Sequence, residues 1–373
     1  EWANSRAKLS AHPNSAANYL IDGRAPRPGE IFRQKKLAAS LRKIADQGKG
    51  LFYGGEIAEE IVRFSQKNGG LLSVKDFRDH ESAWVEPIHS SYRGYEVYEM
   101  PPNTQGLTVL QMLNLLEGFD PAALGYNSAP YLHALIEIKK LAFADRDRYL
   151  ADPEFADVPV EKLLSKAYAA RRRGRIDPRR AGNYRPGLGP VSGDTQYFCA
   201  VDREGNGVSF INSLFENFGC GLVGGDTGIM LQNRGKLFSL DPAHPNCLAP
   251  HKRSFHTIMP AMVFKDHRPF LVFGVTGAHM QPQGQVQALA NIIDFGMTIQ
   301  EALEAPRANH LEGLEVALEE GIGAGVRTAL KRMGHTILKE ANFGGGQGIL
   351  IHPEHGTLMG GSDPRKDGCA MGF

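Results

Sequence analysis

The sequence predicts a layered α/β or α+β sandwich, on three observations. The first 150 residues carry mostly helix-period apolar patterns, and the chain after Thr195 carries mostly strand patterns. An Arg/Gly/Pro-rich stretch with almost no periodicity separates the two, and helices followed by strands in one connected unit imply stacked layers. No period of about 20–50 residues repeats, which argues against a solenoid.

In order along the chain, QKKLAASLRKIADQG places Leu37, Leu41 and Ile44 at helical spacing and stops at Gly48. GEIAEEIVRFSQKNGG repeats the device with Ile57, Ile61 and Val62 before a double glycine. SVKD at Ser73 fits a helix-opening cap with an acid three residues on. SYRGYEVYEMP alternates as a strand, GLTVLQMLNLLEGFD is a buried apolar helix, and APYLHALIEIKKLAFADRDRYL is a second long helix. The stretch RRRGRIDPRRAGNYRPGLGPVSGD, 171–194, reads as an exposed flexible linker. Its arginines lack aromatic interleaving, which argues against a nucleic-acid patch. Beyond it, TQYFCAVD and GVSFINSLF form a hairpin through REGN. TIMPAMVFK and RPFLVFGVTG pair across Asp266–His267. Two helices follow, QGQVQALANIIDFGM and TIQEALEAPR, and then shorter segments; HLEGLEVALEEG reads as a solvated strand edge and helix start.

The bulk numbers bound the function. A chain of 373 residues holds two average domains or one large α/β domain. Formal net charge is +1, so no electrostatic pull toward nucleic acid is expected. No run of about eighteen apolar residues suggests a membrane span. The four cysteines form no C-x-x-C pair, and Cys199 and Cys220 read as small buried hydrophobes. His251, His256, His267 and His279 are scattered and not at ligand spacing, so no metal set is expected. The threonine chemistry considered below needs no other cofactor. The chain opens at Glu1 within a polar helical pattern, which reads as a piece of something longer. The compartment stays open, with the cytoplasm ahead of the periplasm or export.

Thr195 carries the sharper question. A threonine hydroxyl is a weak nucleophile, but an N-terminal threonine owns a base, its α-amine, with a reference pKa of about 7.7–8.0. Such a device needs a cut linker before the threonine and a rigid strand after it, and the sequence offers both.

Five segments in fixed order extend this reading: MPPNTQGLTVLQMLNLLEGFD, DTQYFCAVDREGNGVSF, GVTGAHM, EAPRANH and GSDPRKDG. Together they resemble the γ-glutamyltransferase family of N-terminal nucleophile hydrolases, and the resemblance runs from about Pro13 to the C-terminus. It implies a four-layer αββα sandwich and self-scission of the Asp194–Thr195 bond. Residues 1–194 would then be the C-terminal part of a large subunit whose N-terminal segment is missing, and 195–373 a small subunit led by the nucleophile Thr195. By the same resemblance Ser213 hydrogen-bonds the nucleophile, and the backbone N–H groups of Gly277 and Ala278 form the oxyanion hole. The family's arginine that holds the substrate carboxylate lies in the missing segment.

Departures fall at substrate-recognition positions. Where the γ-glutamyl enzymes hold an α-amino group with Asn, Gln and Asp, this chain has Phe215, Arg234 and Leu237; the family's serine pair corresponds to His256 and Thr257. Leucine accepts no hydrogen bond and arginine repels an ammonium. Arg234 fits either a bidentate carboxylate grip or a surface turn. His256 reads as pocket-shaping rather than as a base, and FSLDPAHPNCLAP, 238–250, as a defined lid loop. The pattern leans to the hydrolytic branch, with oxamate amidohydrolase-like and cephalosporin acylase-like members. The expected partners are a small amide or γ-glutamyl substrate and the chain's own two fragments, with a homo-oligomer left open. A true γ-glutamyl transpeptidase of glutathione metabolism, or a non-catalytic, unprocessed scaffold, are the alternatives.

Overall fold

The computed structural model describes residues 2–184, 194–339 and 342–373, with Asp194 as backbone only. It divides into two compact units, 1–84 with 214–234 and 85–213 with 235–373. Both expected fragments contribute to each unit.

The smaller unit is helical. Lys35–Gln47 ends at Gly48 with φ +78°, where the sequence places the stop. Glu56–Lys67 buries Ile57, Ile61 and Val62, its apolar stripe. The Ser73 cap is a full reciprocal box, the Asp76 carboxylate accepting the Ser73 N–H at 2.7 Å.

The larger unit holds the sheets, apart from the last two residues of β4. Its strands are β1 (Ile88–Tyr92), β2 (Tyr95–Glu99), β3 (Asp194–Val201), β4 (Gly207–Phe215), β5 (Ala261–Lys265), β6 (Arg268–Thr276), β7 (Ala308–His310), β8 (Glu315–Leu318), β9 (Thr336–Leu338), β10 (Gly345–Ile351) and β11 (Leu358–Ser362). Six form one sheet in the order β1-β2-β5-β6-β10-β11, all antiparallel. SYRGYEVYEMP, expected as one strand, crosses the turn between β1 and β2, because Arg93 and Gly94 take φ +50° and +82°. Asp266 and His267 make the matching turn between β5 and β6, as expected.

Alternation sorts the two faces of this sheet. Val97, Ala261, Val263, Leu271 and Phe273 share one core with Val109, Leu113, Val286 and Leu289 of the helices Gly106–Leu116 and Met280–Ile293. On the other face, the β3–β4 hairpin lies against β6 and β10. Gly274 makes this approach feasible: a Cβ there would stand 2.4 Å from the Tyr197 ring. The fold is thus a mixed helix-and-sheet architecture in which helices, the six-stranded sheet and the hairpin follow in that order.

EAPRANH and GSDPRKDG meet in the core. Arg307 is fully buried and pairs with Asp363 at 2.7 Å, and Arg365 pairs with the other Asp363 oxygen at 2.9 Å. Their joint appearance therefore reflects a buried ion-pair network that ties β7 to β11.

Several expectations change. β8 is the middle strand of β7-β8-β9, with Val316–Leu318 buried, so the 310–321 segment is not a solvated edge. Cys220 is exposed rather than buried. The 171–194 stretch starts inside the helix Lys166–Arg173 and stays anchored through Gly182 by hydrogen bonds described below; 185–193 lies outside the described residues. Among the described residues no helix is long and apolar enough to cross a membrane.

Candidate active site

Thr195 stands at the start of β3, 5% exposed, with its side chain on the face shared with Tyr197. Its hydroxyl lies 3.4 Å from Ser213 Oγ on β4, the expected partner. On its other side, Gln281 Nε2 donates to Thr195 Oγ1 at 3.2 Å. Gln281 is fully buried and was not singled out by the sequence.

Gly277 and Ala278 form the turn from β6 into the helix Met280–Ile293, at φ +110° and +50°. Gly277 has to be glycine, since a Cβ would sit 3.0 Å from Gly344 Cα in a conformation side chains rarely adopt. Ala278 accepts a left-handed conformation with its Cβ in place. Among the described residues neither backbone N–H is engaged in a hydrogen bond, while both carbonyls accept from the helix start at 2.9 and 3.2 Å. The same turn carries Gln281, so the expected oxyanion donors and the nucleophile's second contact belong to one local structure.

Gln105 draws in the remaining predicted residues. Its Nε2 donates to Thr257 O at 2.9 Å and to Ala278 O at 3.0 Å, and its backbone N–H donates to His256 O at 3.0 Å. Its Oε1 accepts from Arg146 Nη1 at 3.2 Å. Thr257 is 1% exposed. His256 Nδ1 lies 2.6 Å from Ser254 O and donates there, which fixes the ring as part of this scaffold. Gln105 sits inside the quoted MPPNTQG segment, so the motif was visible although the residue's role was not. Arg146 is ion-paired with Asp147 at 2.6 Å and lies over the Phe143 ring at 3.9 Å. It also donates to His279 Nδ1 at 3.0 Å, and burial beside this cation holds His279 neutral, well below the ordinary imidazole range.

The 238–250 loop is defined by internal hydrogen bonds, as its prolines suggested. Ser239 and Cys247 form a bridge, and Asn246, 2% exposed, donates to Leu237 O at 2.7 Å and accepts from Phe255 N at 3.0 Å. Leu237 is itself buried. Phe215 and Arg234 belong to the smaller unit. There Arg234, 5% exposed, lies over the Phe215 ring at 5.5 Å, and burial lowers its guanidinium to about 10. It is not the surface-turn arginine that the sequence allowed.

Among the described residues, one group has ligand-like spacing: His133, Glu137 and His335, with donor atoms within 4.8 Å. Its atoms serve the chain instead. Glu137 accepts from Lys140 at 2.7 Å and from Gly182 N at 2.9 Å, and Lys140 also donates to Gly182 O. His133 Nε2 donates to Asp177 O at 2.8 Å, and its Nδ1 meets His335 Nε2 at 2.8 Å. The cluster clamps the 177–182 backbone through Asp177 O, Gly182 N and Gly182 O.

The sequence profile of the γ-glutamyltranspeptidase family matches residues 1–373. The chain belongs to the γ-glutamyltranspeptidase family. It is similar to the glutathione hydrolase-like YwrD proenzyme of Bacillus subtilis, 42% identical over 98% of this chain and 70% of the relative. It is 34% identical to the oxamate amidohydrolase proenzyme of Klebsiella pneumoniae, over 100% of this chain and 71% of that one. Among solved structures it resembles a cephalosporin acylase from Bacillus halodurans, with TM-score 0.91 and 41% identity over 98% of this chain and 68% of that chain. The chain spans about two thirds of the length of the curated relatives it matches. As a γ-glutamyltranspeptidase-family member it shares their mixed helix-and-sheet architecture and stands among hydrolases and acylases named as proenzymes.

Proposed function

We propose that this chain is part of an amide hydrolase that is self-processed at Asp194–Thr195 and works through an acyl-enzyme on Thr195. The observation that carries the reading is the buried Thr195 hydroxyl held between Ser213 and Gln281 beside the Gly277–Ala278 turn. The helix–sheet–hairpin order supports placing it in a four-layer αββα sandwich. Residues 1–194 and 195–373 would be the fragments.

Thr195 Oγ attacks the amide carbonyl carbon while its proton moves to the Thr195 amine. The carbonyl oxygen takes the negative charge and receives the Gly277 and Ala278 N–H groups. The C–N bond then breaks, the amine returns its proton to the leaving nitrogen, and an ester to Thr195 remains. Water repeats the sequence and releases a carboxylic acid. Ser213 orients the nucleophile. His256 and Thr257, fixed by Gln105, shape the pocket, and Arg234 serves a substrate carboxylate. Phe215 and Leu237, both buried and apolar, disfavour an α-ammonium head, so simple acyl amides are preferred over γ-glutamyl amides.

Denaturing mass spectrometry of the full chain tests this. Two fragments that part before Thr195 are expected, together with loss of both scission and hydrolysis in Thr195→Ala. An unbroken but active chain would overturn the proposal, and strong preference for a γ-glutamyl anilide over simple acyl amides would overturn the substrate assignment.

A further inference from the structure

We infer that the Gln281 carboxamide is a two-pronged cradle for residue 195, its Nε2 donating to the threonine hydroxyl and its Oε1 receiving an N–H of the α-amine after scission. The inference rests on the N-terminal-threonine reading above and adds a positioning residue to it.

Gln281 is 0% exposed, and its Nε2 lies 3.2 Å from Thr195 Oγ1. The other end of the same carboxamide, Oε1, is buried with no hydrogen-bond partner among the described residues. A buried carboxamide oxygen without a donor is costly and calls for an explanation. Scission supplies one. An unbroken chain gives residue 195 a single amide N–H, whereas a chain terminus gives it an amine with two or three. Amine and hydroxyl sit on adjacent carbons of one residue, so the new nitrogen lies within reach of a carboxamide whose other end already touches the hydroxyl.

The mounting is rigid. Gln281 is the second residue of its helix, and its own N–H donates to Ala278 O at 3.2 Å. The cradle therefore moves with the oxyanion turn. Its two ends have different effects. Nε2 fills one lone pair of Oγ1 and so fixes which side of that oxygen faces the substrate carbonyl. Oε1 favours the protonated amine and offsets the loss of solvation that burial would impose on it. The titratable groups near the turn include Tyr197, Glu99, His279 and Arg146 with its partner Asp147. Burial keeps the first three neutral, and the last two offset each other.

The test uses the full chain and the variants Gln281→Leu and Gln281→Glu, each checked for scission by intact mass. Competitive acetylation of the Thr195 terminus as a function of pH reads the amine pKa, and kcat and KM are followed in parallel. Gln281→Leu is expected to lower the amine pKa and to reduce kcat about tenfold or more with KM little changed. Gln281→Glu, nearly isosteric, is expected to raise the amine pKa by about one unit or more. An amine pKa equal to the parent's in both variants overturns the cradle, even if kcat falls. If Gln281→Leu is not processed, the Glu variant alone decides in the same way. A parent chain yielding no fragment that starts at Thr195 would overturn the N-terminal-threonine reading and the cradle together, whereas an unmoved amine pKa overturns the cradle alone.

Discussion

Ala278 shows how residue-scale constraints meet at the site. It is buried, its φ is +50°, and its carbonyl is held by Gln105. A left-handed conformation costs an ordinary residue about 1–2 kcal/mol, and a β-branched one more. Alanine already bears that cost, so Ala278→Val should destabilise the fold by the β-branched excess and overpacking, about 1–3 kcal/mol, read as a lowered denaturation midpoint, and should slow turnover further by shifting the proposed oxyanion donors. A valine variant as stable and as fast as the parent would contradict this account. Thr195 and Ser213 were legible because strand context and family motif coincide on them. Gln281 was not, because GVTGAHM as read ends one residue before it. Glutamine also has no spacing rule of its own, and Gln105 and Gln281 declare themselves only through what their amides reach across the chain.

Elements were legible where turn chemistry was plain. The apolar helices, the Ser73 box and the β5–β6 hairpin all match expectation. The β1–β2 turn was hidden because Arg93 takes the first positive-φ position, where glycine or asparagine would have marked it. What no local pattern reveals is the contact between sheets. Gly274 sets it by leaving room for Tyr197, two residues after the proposed nucleophile. Gly274→Ala places a methyl into that ring and should cost about 1–3 kcal/mol through overpacking. It should also lower the processed fraction measured by intact mass, since β3 is pushed from its seat. Unchanged stability and processing would mean that the hairpin position is not set by this glycine.

For the whole molecule, pH dependence is written into a buried acid. Burial raises the Glu99 carboxyl well above its ordinary value of 4.5, and neither of its oxygens has a partner among the described residues. A carboxyl raised in this way takes up a proton on folding. Its stabilising contribution is complete below the unfolded pKa and is lost as pH rises through the folded one. Glu99→Gln should therefore change Tm little below the ordinary carboxyl range and gain on the parent steadily as pH rises above it. A Tm difference independent of pH would refute this. The layered class was readable from chain order alone, but the pairing of β2 with β5 was not, because more than 150 residues separate them. That ladder has a further effect. Tyr95–Tyr98 precede the proposed cut and bond to Met262–Lys265 beyond it, so breaking one peptide link nicks the polymer without dividing the folded body. Size-exclusion under native conditions would register a single species, and the two pieces would come apart only when the sheet itself is melted.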